Sequence, residues 1–274
     1  KEKITAFHGV PTMFIAMLGH PDFEKTDFSY MRTGIMAGSP CPVKVMQDVI
    51  EKMHMTEICI TYGQTEASPG CTMSKTTDSI ETRVNTVGGA MFGVECRIVN
   101  EELPDNVDGE FVARGYNIMK GYYKMPEATA AAIDADGWLH TGDLARRDEN
   151  GNYKITGRIK DMIIRGGENI YPKEIEDFIY THPKVSDVQV IGVPDKQYGE
   201  EIMACVILKP GENMTEEELK EYVLSHMAKH KVPRYVDFVD SFPMNAAGKI
   251  LKYKMRENAV QKLSLQEASS IETA

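Results

Sequence analysis

Apolar positions over residues 1–81 alternate between helical and strand spacing. After Pro42, a favourable residue for the first turn of a helix, apolar residues recur at intervals of three and four, which predicts an amphipathic helix. These residues are Val45, Met46, Val49, Ile50 and Met53. The apolar run Ile58–Thr61 then predicts a strand that leads into Tyr62-Gly63. We therefore assign residues 1–81 to an α/β unit. Because ligands often bind where the strands of such a sheet end, the Tyr62-Gly63 turn is a candidate site.

Residues 82–159 show a different pattern, in which short β-like runs are separated by turn signals. The runs are Glu95–Val99, Glu110–Ala113 and Tyr153–Thr156, and Asp-Gly or Asn-Gly pairs lie between them. The pair Asn150-Gly151 separates Leu144–Arg147 from Tyr153–Thr156, which predicts a β-hairpin. We therefore expect residues 82–159 to form a small β-rich, barrel-like subdomain.

Residues 160–258 return to a mixture of helical and strand patterns. Pro172 precedes a run of residues at helical spacing, namely Ile175, Phe178, Ile179 and His182. Val188–Val193 and Met203–Leu208 read as strands, and Thr215 followed by Glu218 is a capping box that opens another helix. We expect a compact α+β C-terminal domain after a boundary near residues 158–161. Residues 259–274 are polar with poor periodicity, and we expect them to form a frayed tail.

Composition excludes several classes of protein. With 42% hydrophobic and 26% charged residues among 274, the chain has a globular rather than a disordered composition. The net charge of -10 argues against nucleic acid as the main partner, because binding a phosphate backbone needs a basic face. The five cysteines are scattered without a C-x-x-C pair, which predicts a reducing, cytoplasmic location. No run approaches the ~18 apolar residues of a membrane span.

The polar residues after the first predicted strand are suited to binding a nucleotide. Tyr62 can stack on a base, Thr65 can hydrogen-bond a phosphate, and Glu66 can hold Mg²⁺ through a carboxylate oxygen. Further along, Asp143 follows Gly142 and can accept hydrogen bonds from the two vicinal hydroxyls of a ribose. Taken alone, each segment is more simply an ordinary turn with a solvated carboxylate.

Glycine and lysine residues in the second half of the chain add two further candidates. Gly166-Gly167 allows close approach of a ligand to the backbone. The surrounding segment, residues 156–172, lies between two predicted domains, where it could act as a hinge or be an ordinary linker with solvated charges. Gly248-Lys249 lacks the spacing of a Walker loop, yet a lysine there can carry a point charge to a phosphate. The alternative for Lys249 is a surface lysine. His140 has no metal or triad pattern beside it, and we interpret it as structural.

The order and spacing of these segments resemble those of the AMP-forming acyl-CoA synthetases, which belong to the adenylate-forming superfamily. The resemblance runs from about His8 to Arg256. It rests on Tyr62-Gly63-Gln64-Thr65-Glu66, Thr141-Gly142-Asp143, Gly157-Arg158-Ile159-Lys160-Asp161 and Gly248-Lys249. The segments His8–Met13, Ala37–Pro40 and Gly166–Pro172 are most similar to those of medium- and long-chain fatty-acid–CoA ligases.

The resemblance implies a fold, a reaction and a set of small-molecule partners. Residues 1–81 would be the end of a large α/β AMP-binding domain, followed by its β-rich subdomain and by a mobile C-terminal domain. The family uses ATP and Mg²⁺ to convert a carboxylate, here a fatty acid, into acyl-AMP and pyrophosphate. It then transfers the acyl group to the thiol of CoA with release of AMP. A homodimer is also expected.

The resemblance also implies a role for individual residues. In the nucleotide site, Gly38, Ser39 and Pro40 would line the adenine site, Tyr62 would stack on the base, and Gly63 would also bind the nucleotide. Asp143, with Arg158 beside it, would hold the ribose. The catalytic residues would be Thr65 at the α-phosphate, Glu66 at Mg²⁺, and Lys249 between the carboxylate and the α-phosphate. His8, Gly9 and Val10 would line the acyl pocket. Lys160 would be a hinge about which the C-terminal domain rotates, bringing Gly166 and Gly167 to the pantetheine arm of CoA.

One feature of the family is missing from these 274 residues. Members carry a Ser/Thr/Gly-rich phosphate loop ending in Lys-Gly, and this chain contains none. We therefore expect the chain to be the C-terminal portion of a longer synthetase, with little or no adenylation activity by itself. Two alternatives stay open. One is an adenylation protein that loads the thiol of a carrier protein, and the other is a non-catalytic nucleotide-binding remnant.

Overall fold

The computed structural model describes residues 2–38, 41–99, 108–245 and 249–269. The chain divides into two compact units, Lys1–Ile159 and Lys160–Ala274.

The first unit begins with a five-stranded sheet in which three parallel strands precede two antiparallel ones. Its strands, in spatial order, are β1 (Ala6–Gly9), β2 (Thr33–Met36), β3 (Glu57–Tyr62), β4 (Thr72–Met73) and β5 (Gly89–Ala90). Gly34 is required in β2, because a Cβ there would lie 1.8 Å from the carbonyl oxygen of Phe7 on β1. The parallel register is thus held by a backbone contact that only glycine permits.

Helices complete this α/β layer. They are α1 (Pro11–Leu18), α2 (Val43–Lys52) and α3 (Ile80–Asn85). The apolar stripe of α2 is buried with Phe14 of α1 and Ile58 of β3, which confirms the helix and the strand predicted from the spacing of apolar residues. Helices between parallel strands are expected, since a parallel pair needs a crossover connection.

A second sheet in the first unit is an antiparallel meander. Its strands are β6 (Val94–Ile98), β7 (Gly109–Gly115), β8 (Leu139–Arg147) and β9 (Tyr153–Arg158), and helix α4 (Pro126–Ala132) lies between β7 and β8. Phe111 and Tyr153 are buried and pack edge to face at 5.0 Å between ring centroids. The three predicted β runs and the hairpin around Asn150-Gly151 are therefore confirmed.

The second unit is a mixed sheet covered by helices. Its strands are β10 (Ile163–Arg165), β11 (Glu168–Ile170), β12 (Val185–Asp195), β13 (Gly199–Leu208) and β14 (Tyr235–Phe238). Its helices are α5 (Pro172–Ile179), α6 (Glu216–Leu224), α7 (Lys252–Lys262) and α8 (Gln266–Ser269). β13 is central and pairs with β12, β10 and β14. The predicted fold class, α/β followed by a β-rich part and an α+β unit, is confirmed.

Local predictions in the second unit have mixed outcomes. The capping box is present, since the Thr215 hydroxyl accepts a hydrogen bond from the backbone N–H of Glu218 at 3.1 Å. The helix after Pro172 ends at Ile179, so His182 lies beyond it. The tail was expected to fray from Ala259. Instead α7 continues to Lys262, and Ala259 is 3% exposed in a core cluster with Met203 and Phe242.

The described residues contain no helix that is both long enough and apolar enough to span a membrane.

Candidate active site

The carboxyl ends of the three parallel strands collect several candidate residues at one edge of the first sheet. His8 and Gly9 are the last residues of β1, and Tyr62 is the last residue of β3. The ends of the three strands are neighbours in the sheet, because Gly9 lies opposite Met36 of β2 and Met36 lies opposite Ile60 of β3. Parallel strands that end together form the edge where α/β proteins commonly bind ligands.

Gly38, just beyond β2, turns the backbone at this edge. Its φ of +91° is in the region that favours glycine, and a Cβ there would lie 3.0 Å from Cγ1 of Val10. Gly38 and Val10 are therefore neighbours, as are the ends of the strands that carry them. Ser39 and Pro40, the other two residues predicted for the adenine site, lie outside the described residues.

Three residues that are distant in sequence meet at a buried carboxylate. The Tyr62 hydroxyl donates a hydrogen bond to Oδ2 of Asp143 at 2.7 Å, and Nε of Arg158 donates to Oδ1 at 3.0 Å. Asp143 on β8 lies opposite Arg158 on β9, so the hairpin itself aligns the ion pair. Asp143 is 5% exposed. The structure thus brings together three residues that the sequence assigned to one nucleotide site.

The electrostatics of this cluster keep the tyrosine neutral. Burial, followed by the charge of Asp143, raises the pKa of Tyr62 far above its ordinary value, so the phenol remains a donor. A carboxylate offers about four acceptor positions. Tyr62 and Arg158 use one on each oxygen, and the remaining capacity suits a pair of vicinal hydroxyls. The edge of the Tyr62 ring also packs on Phe111 at 5.0 Å.

The turn after β3 holds the predicted phosphate and metal residues. Thr65 is exposed at the start of a short 3₁₀ helix, Thr65–Ala67. Two hydrogen bonds hold Glu66 in place. Its carbonyl accepts from the backbone N–H of Met119 and its Oε1 accepts from the Tyr122 hydroxyl, both at 2.8 Å. Gly63 is required here, since a Cβ would lie 1.7 Å from the carbonyl oxygen of Pro69.

The sequence did not reveal two residues that shape this turn. The side-chain amide of Asn117 donates to the carbonyls of Ala67 and Gly70, at 3.1 and 2.8 Å, and Asn117 is buried. Tyr122 orients Glu66 as described above. Both follow β7 in the chain and reach the turn only through the tertiary fold, so no periodicity or local motif could have found them.

Magnesium has a candidate ligand in this turn. Within the part of the chain that the structure describes, no three His, Cys, Asp or Glu residues come together as a metal site. Tyr122 occupies Oε1 of Glu66, and Oε2 has no protein partner among those residues. One carboxylate shared with substrate phosphates is a common way to hold Mg²⁺. The residues present therefore fit such a cation.

The remaining candidates lie in the second unit. Gly166 and Gly167, with φ of +60° and +85°, form the two-residue turn of the β10–β11 hairpin, as a type I′ turn requires. The Gly166 N–H donates to the carbonyl of Tyr198 at 2.8 Å. These glycines are therefore first of all turn residues, and their predicted contact with pantetheine stays a prediction.

Lys160 is the first residue of the second unit and sits in a 3₁₀ turn, Ile159–Asp161. Lys249 is exposed, and its backbone N–H donates to Oδ1 of Asn245 at 2.9 Å. Gly248 lies outside the described residues. The predicted roles of Lys160 as hinge and Lys249 as phosphate ligand also stay predictions.

A parallel sheet edge with a buried carboxylate beside it is an arrangement in which α/β proteins commonly bind nucleotides. Comparison with known families narrows this class. The family model described as AMP-binding enzyme matches residues 1–123, and the model of the AMP-binding enzyme C-terminal domain matches residues 174–249. The chain belongs to the AMP-binding enzyme family, which confirms the resemblance found in its motifs.

Curated relatives share most of this chain but extend well beyond it. A putative acyl-CoA synthetase, YngI of Bacillus subtilis (strain 168), is 56% identical over 272 residues, which is 98% of this chain and 50% of YngI. The mitochondrial medium-chain acyl-CoA ligase ACSF2 of Bos taurus is 47% identical over 269 residues, which is 97% of this chain and 44% of that protein. The chain thus spans about half the length of the curated relatives that it matches.

Solved structures of adenylating enzymes have the same fold. ATP-bound MatB from Rhodopseudomonas palustris superimposes with a TM-score of 0.85 at 35% identity, covering 93% of this chain and 51% of MatB. The anthranilate CoA ligase AuaEII in complex with anthranoyl-AMP gives a TM-score of 0.86 at 29% identity, covering 96% of this chain and 51% of AuaEII.

Proposed function

We propose that this chain is the part of a fatty-acid–CoA ligase that holds the adenosine of ATP and transfers the activated acyl group to CoA. The observation that carries this proposal is the buried carboxylate of Asp143, held by Tyr62 and Arg158 with acceptor capacity left for a ribose. The names of the relatives support the reaction, since YngI is a putative acyl-CoA synthetase and ACSF2 is a medium-chain acyl-CoA ligase.

In the proposed first half-reaction, the fatty-acid carboxylate attacks the α-phosphorus of ATP and pyrophosphate leaves. No general base is needed, because a carboxylic acid is already ionised at neutral pH. The difficulty lies in bringing an anion to a polyanion, so cations must meet the charge that develops. Lys249 would bridge the carboxylate and the α-phosphate, and Thr65 would hydrogen-bond that phosphate. Glu66 would hold Mg²⁺, which supplies charge neutralisation when bound.

In the proposed second half-reaction, the thiol of CoA attacks the acyl carbon of acyl-AMP and AMP leaves. Asp143 and Arg158 keep the adenosine in place for both steps. The second unit would turn about Lys160, so that Lys249 withdraws and the Gly166-Gly167 turn lies against the pantetheine arm. A turn with little side chain suits that contact, because a Cβ on Gly167 would meet nothing within 4 Å.

The acyl group is proposed to be a fatty acid of medium or long chain. His8, Gly9 and Val10, at the end of β1, would form part of the pocket wall beside the nucleotide. The name of the ACSF2 relatives supports the medium-chain end of this range. We also propose a homodimer and, because the five cysteines are scattered without a C-x-x-C pair, a cytoplasmic location, although the ACSF2 relatives are named mitochondrial.

The experiment is a chimera in which this chain replaces the matching half of YngI. The purified chimera is given ATP, Mg²⁺, CoA and fatty acids from short to long, and acyl-CoA is measured by chromatography. We expect acyl-CoA from medium or long fatty acids and none without ATP. A folded chimera that releases no pyrophosphate with any fatty acid contradicts the proposal.

The acceptor is tested with the same chimera. Acyl-AMP is formed first, and CoA or a pantetheinylated carrier protein is then added. We expect rapid transfer to CoA. Transfer to the carrier protein alone supports the alternative adenylation protein, and an amine acceptor is a further comparison because the amide bond synthetase McbA shares this fold with a TM-score of 0.85.

A further inference from the structure

The pairing of β7 with β8 is broken beside the nucleotide carboxylate. Glu110 lies opposite Leu144, but Val112 lies opposite His140, so residues 141–143 all face the single residue Phe111. A bulge of this kind leaves backbone groups outside the regular ladder. The bulge contains Asp143, the residue proposed to bind ribose, and its geometry must therefore be held by other contacts.

The carboxylate of Glu110 holds the bulge. Its Oε1 accepts a hydrogen bond from the backbone N–H of Gly142 at 2.9 Å, and its Oε2 lies 2.8 Å from Nδ1 of His140. Gly142 directly precedes Asp143 and has a φ of +70°, a conformation that glycine adopts without strain but does not hold by itself. A side chain thus replaces the missing ladder bond.

His140 connects this carboxylate to a second one. Its Nε2 lies 3.5 Å from Oδ2 of Asp134, whose Oδ1 accepts from the backbone N–H groups of Trp138 and Asp136 at 2.9 and 3.0 Å. The turn before β8 is therefore linked through one imidazole to the bulge within β8. Thr141 adds a further contact, since its hydroxyl donates to the carbonyl of Phe111 at 2.6 Å.

We propose that Glu110 and His140 are positioning residues that fix the Asp143 carboxylate for the ribose hydroxyls of the nucleotide. This inference rests on the proposed function, in which Asp143 binds ribose. Glu110 sets the peptide before Asp143, and His140 orients Glu110 from the other side. Without them the peptide before Asp143 would be less fixed, and the carboxylate, although still bonded to Tyr62 and Arg158, would sample orientations in which it cannot accept both hydroxyls.

The imidazole also makes the site sensitive to pH. The charged groups facing His140 are Glu110 on β7 and Asp134 in the turn, and its hydrogen bond to Glu110 is the main cause that raises the pKa of His140 above 6.5. Protonated His140 donates to both carboxylates. Neutral His140 can donate to only one of the two carboxylates, so its hold on Glu110 and Asp134 weakens as the pH rises through this pKa.

The test compares adenosine with 2′,3′-dideoxyadenosine as ligands of the 274-residue chain. Neither ligand titrates between pH 6 and 8, and the ratio of their affinities isolates the contribution of the ribose hydroxyls. We expect the unsubstituted chain to bind adenosine about tenfold more tightly. Glu110→Ala should lower this ratio about threefold or more while leaving dideoxyadenosine binding unchanged. Glu95→Ala, on neighbouring β6 and paired with Arg114, is the control and should leave the ratio unchanged.

Glu110→Gln preserves the shape of the side chain and serves if Glu110→Ala does not fold. Its amide oxygen can accept from Gly142, and its amide nitrogen can donate only to neutral His140. In the unsubstituted chain, adenosine affinity should fall about threefold as the pH rises through the raised pKa of His140, because a charge-assisted bond becomes a neutral one. In Glu110→Gln it should not fall. Equal pH profiles, or an unchanged hydroxyl ratio in folded Glu110→Ala, overturn the positioning role. Failure of the unsubstituted chain to bind adenosine overturns the nucleotide site and this inference with it.

Discussion

Replacing Asp143 by asparagine tests the carboxylate on which the nucleotide site depends. The substitution keeps size and shape but changes one acceptor oxygen into an NH₂ donor. Tyr62 can still donate to the amide oxygen, as it does to Oδ2 at 2.7 Å. Arg158, which donates to Oδ1 at 3.0 Å, would then face another donor. The variant should therefore fold with a weakened contact between β8 and β9 at this position.

The size of the effect follows from the hydrogen bonds. Of about four acceptor positions on the carboxylate, Tyr62 and Arg158 use two, and the ribose hydroxyls would use the others. Asparagine retains one oxygen, so at least one bond between a hydroxyl and a charged acceptor is lost. Such a bond contributes about 1.5–3 kcal/mol, so the affinity for AMP should fall by about ten- to a hundredfold.

The assay is calorimetric titration of AMP into the 274-residue chain, with thermal unfolding followed in parallel. Asp136→Asn is the matched control, because Asp136 is an exposed aspartate in the turn before β8. A dideoxy analogue of AMP should bind Asp143→Asn and the unsubstituted chain equally. The reasoning is refuted if Asp143→Asn binds AMP as tightly as the unsubstituted chain does, or if the analogue loses as much affinity as AMP.

Further predictions concern the second unit. In the chimera with YngI, Lys249→Ala should lower formation of acyl-AMP by about 10²–10³ while transfer from supplied acyl-AMP to CoA stays within about twofold; equal loss of both rates refutes this assignment. Lys160→Pro should slow transfer to CoA more than adenylation, and an unchanged ratio of the two rates contradicts the hinge. Ala259→Asp buries an unpaired charge in a site that is 3% exposed, and should lower the free energy of unfolding in urea by about 2–4 kcal/mol. The neighbouring exposed position provides the control Asn258→Asp, and equal losses would mean that α7 is not packed as described.

Features that depend on neighbours in the chain could be predicted from the sequence. The apolar stripe of α2, the strand that ends at Tyr62 and the Thr215 cap each follow from spacing within a few residues. The tail is the counter-example. Ala259 is buried in a core cluster with Met203 and Phe242, which lie far from it in the sequence. The residues around Ala259 are mostly polar, so the spacing of apolar residues does not predict its burial.

The sequence assigned residues to the candidate site that the structure brings into contact, but it did not reveal the residues that support them. Tyr62 and Asp143 were assigned to one nucleotide through the resemblance to a family, although they are 81 positions apart. Glu110, 32 positions from Gly142, carries no motif and acts only where a bulge has displaced the ladder. His140 was interpreted as structural because no metal or triad pattern lies beside it. Contacts of this kind are set by the register of strands and by loops, which local patterns do not encode.

The most direct test of the account is a crystal structure of the chain grown with AMP. We predict that both ribose hydroxyls lie within hydrogen-bond distance of the Asp143 carboxylate, with the adenine against Tyr62 and the phosphate toward Thr65. A nucleotide bound elsewhere, or no nucleotide at Asp143 at saturating AMP, would contradict the central claim that this buried carboxylate is a ribose site.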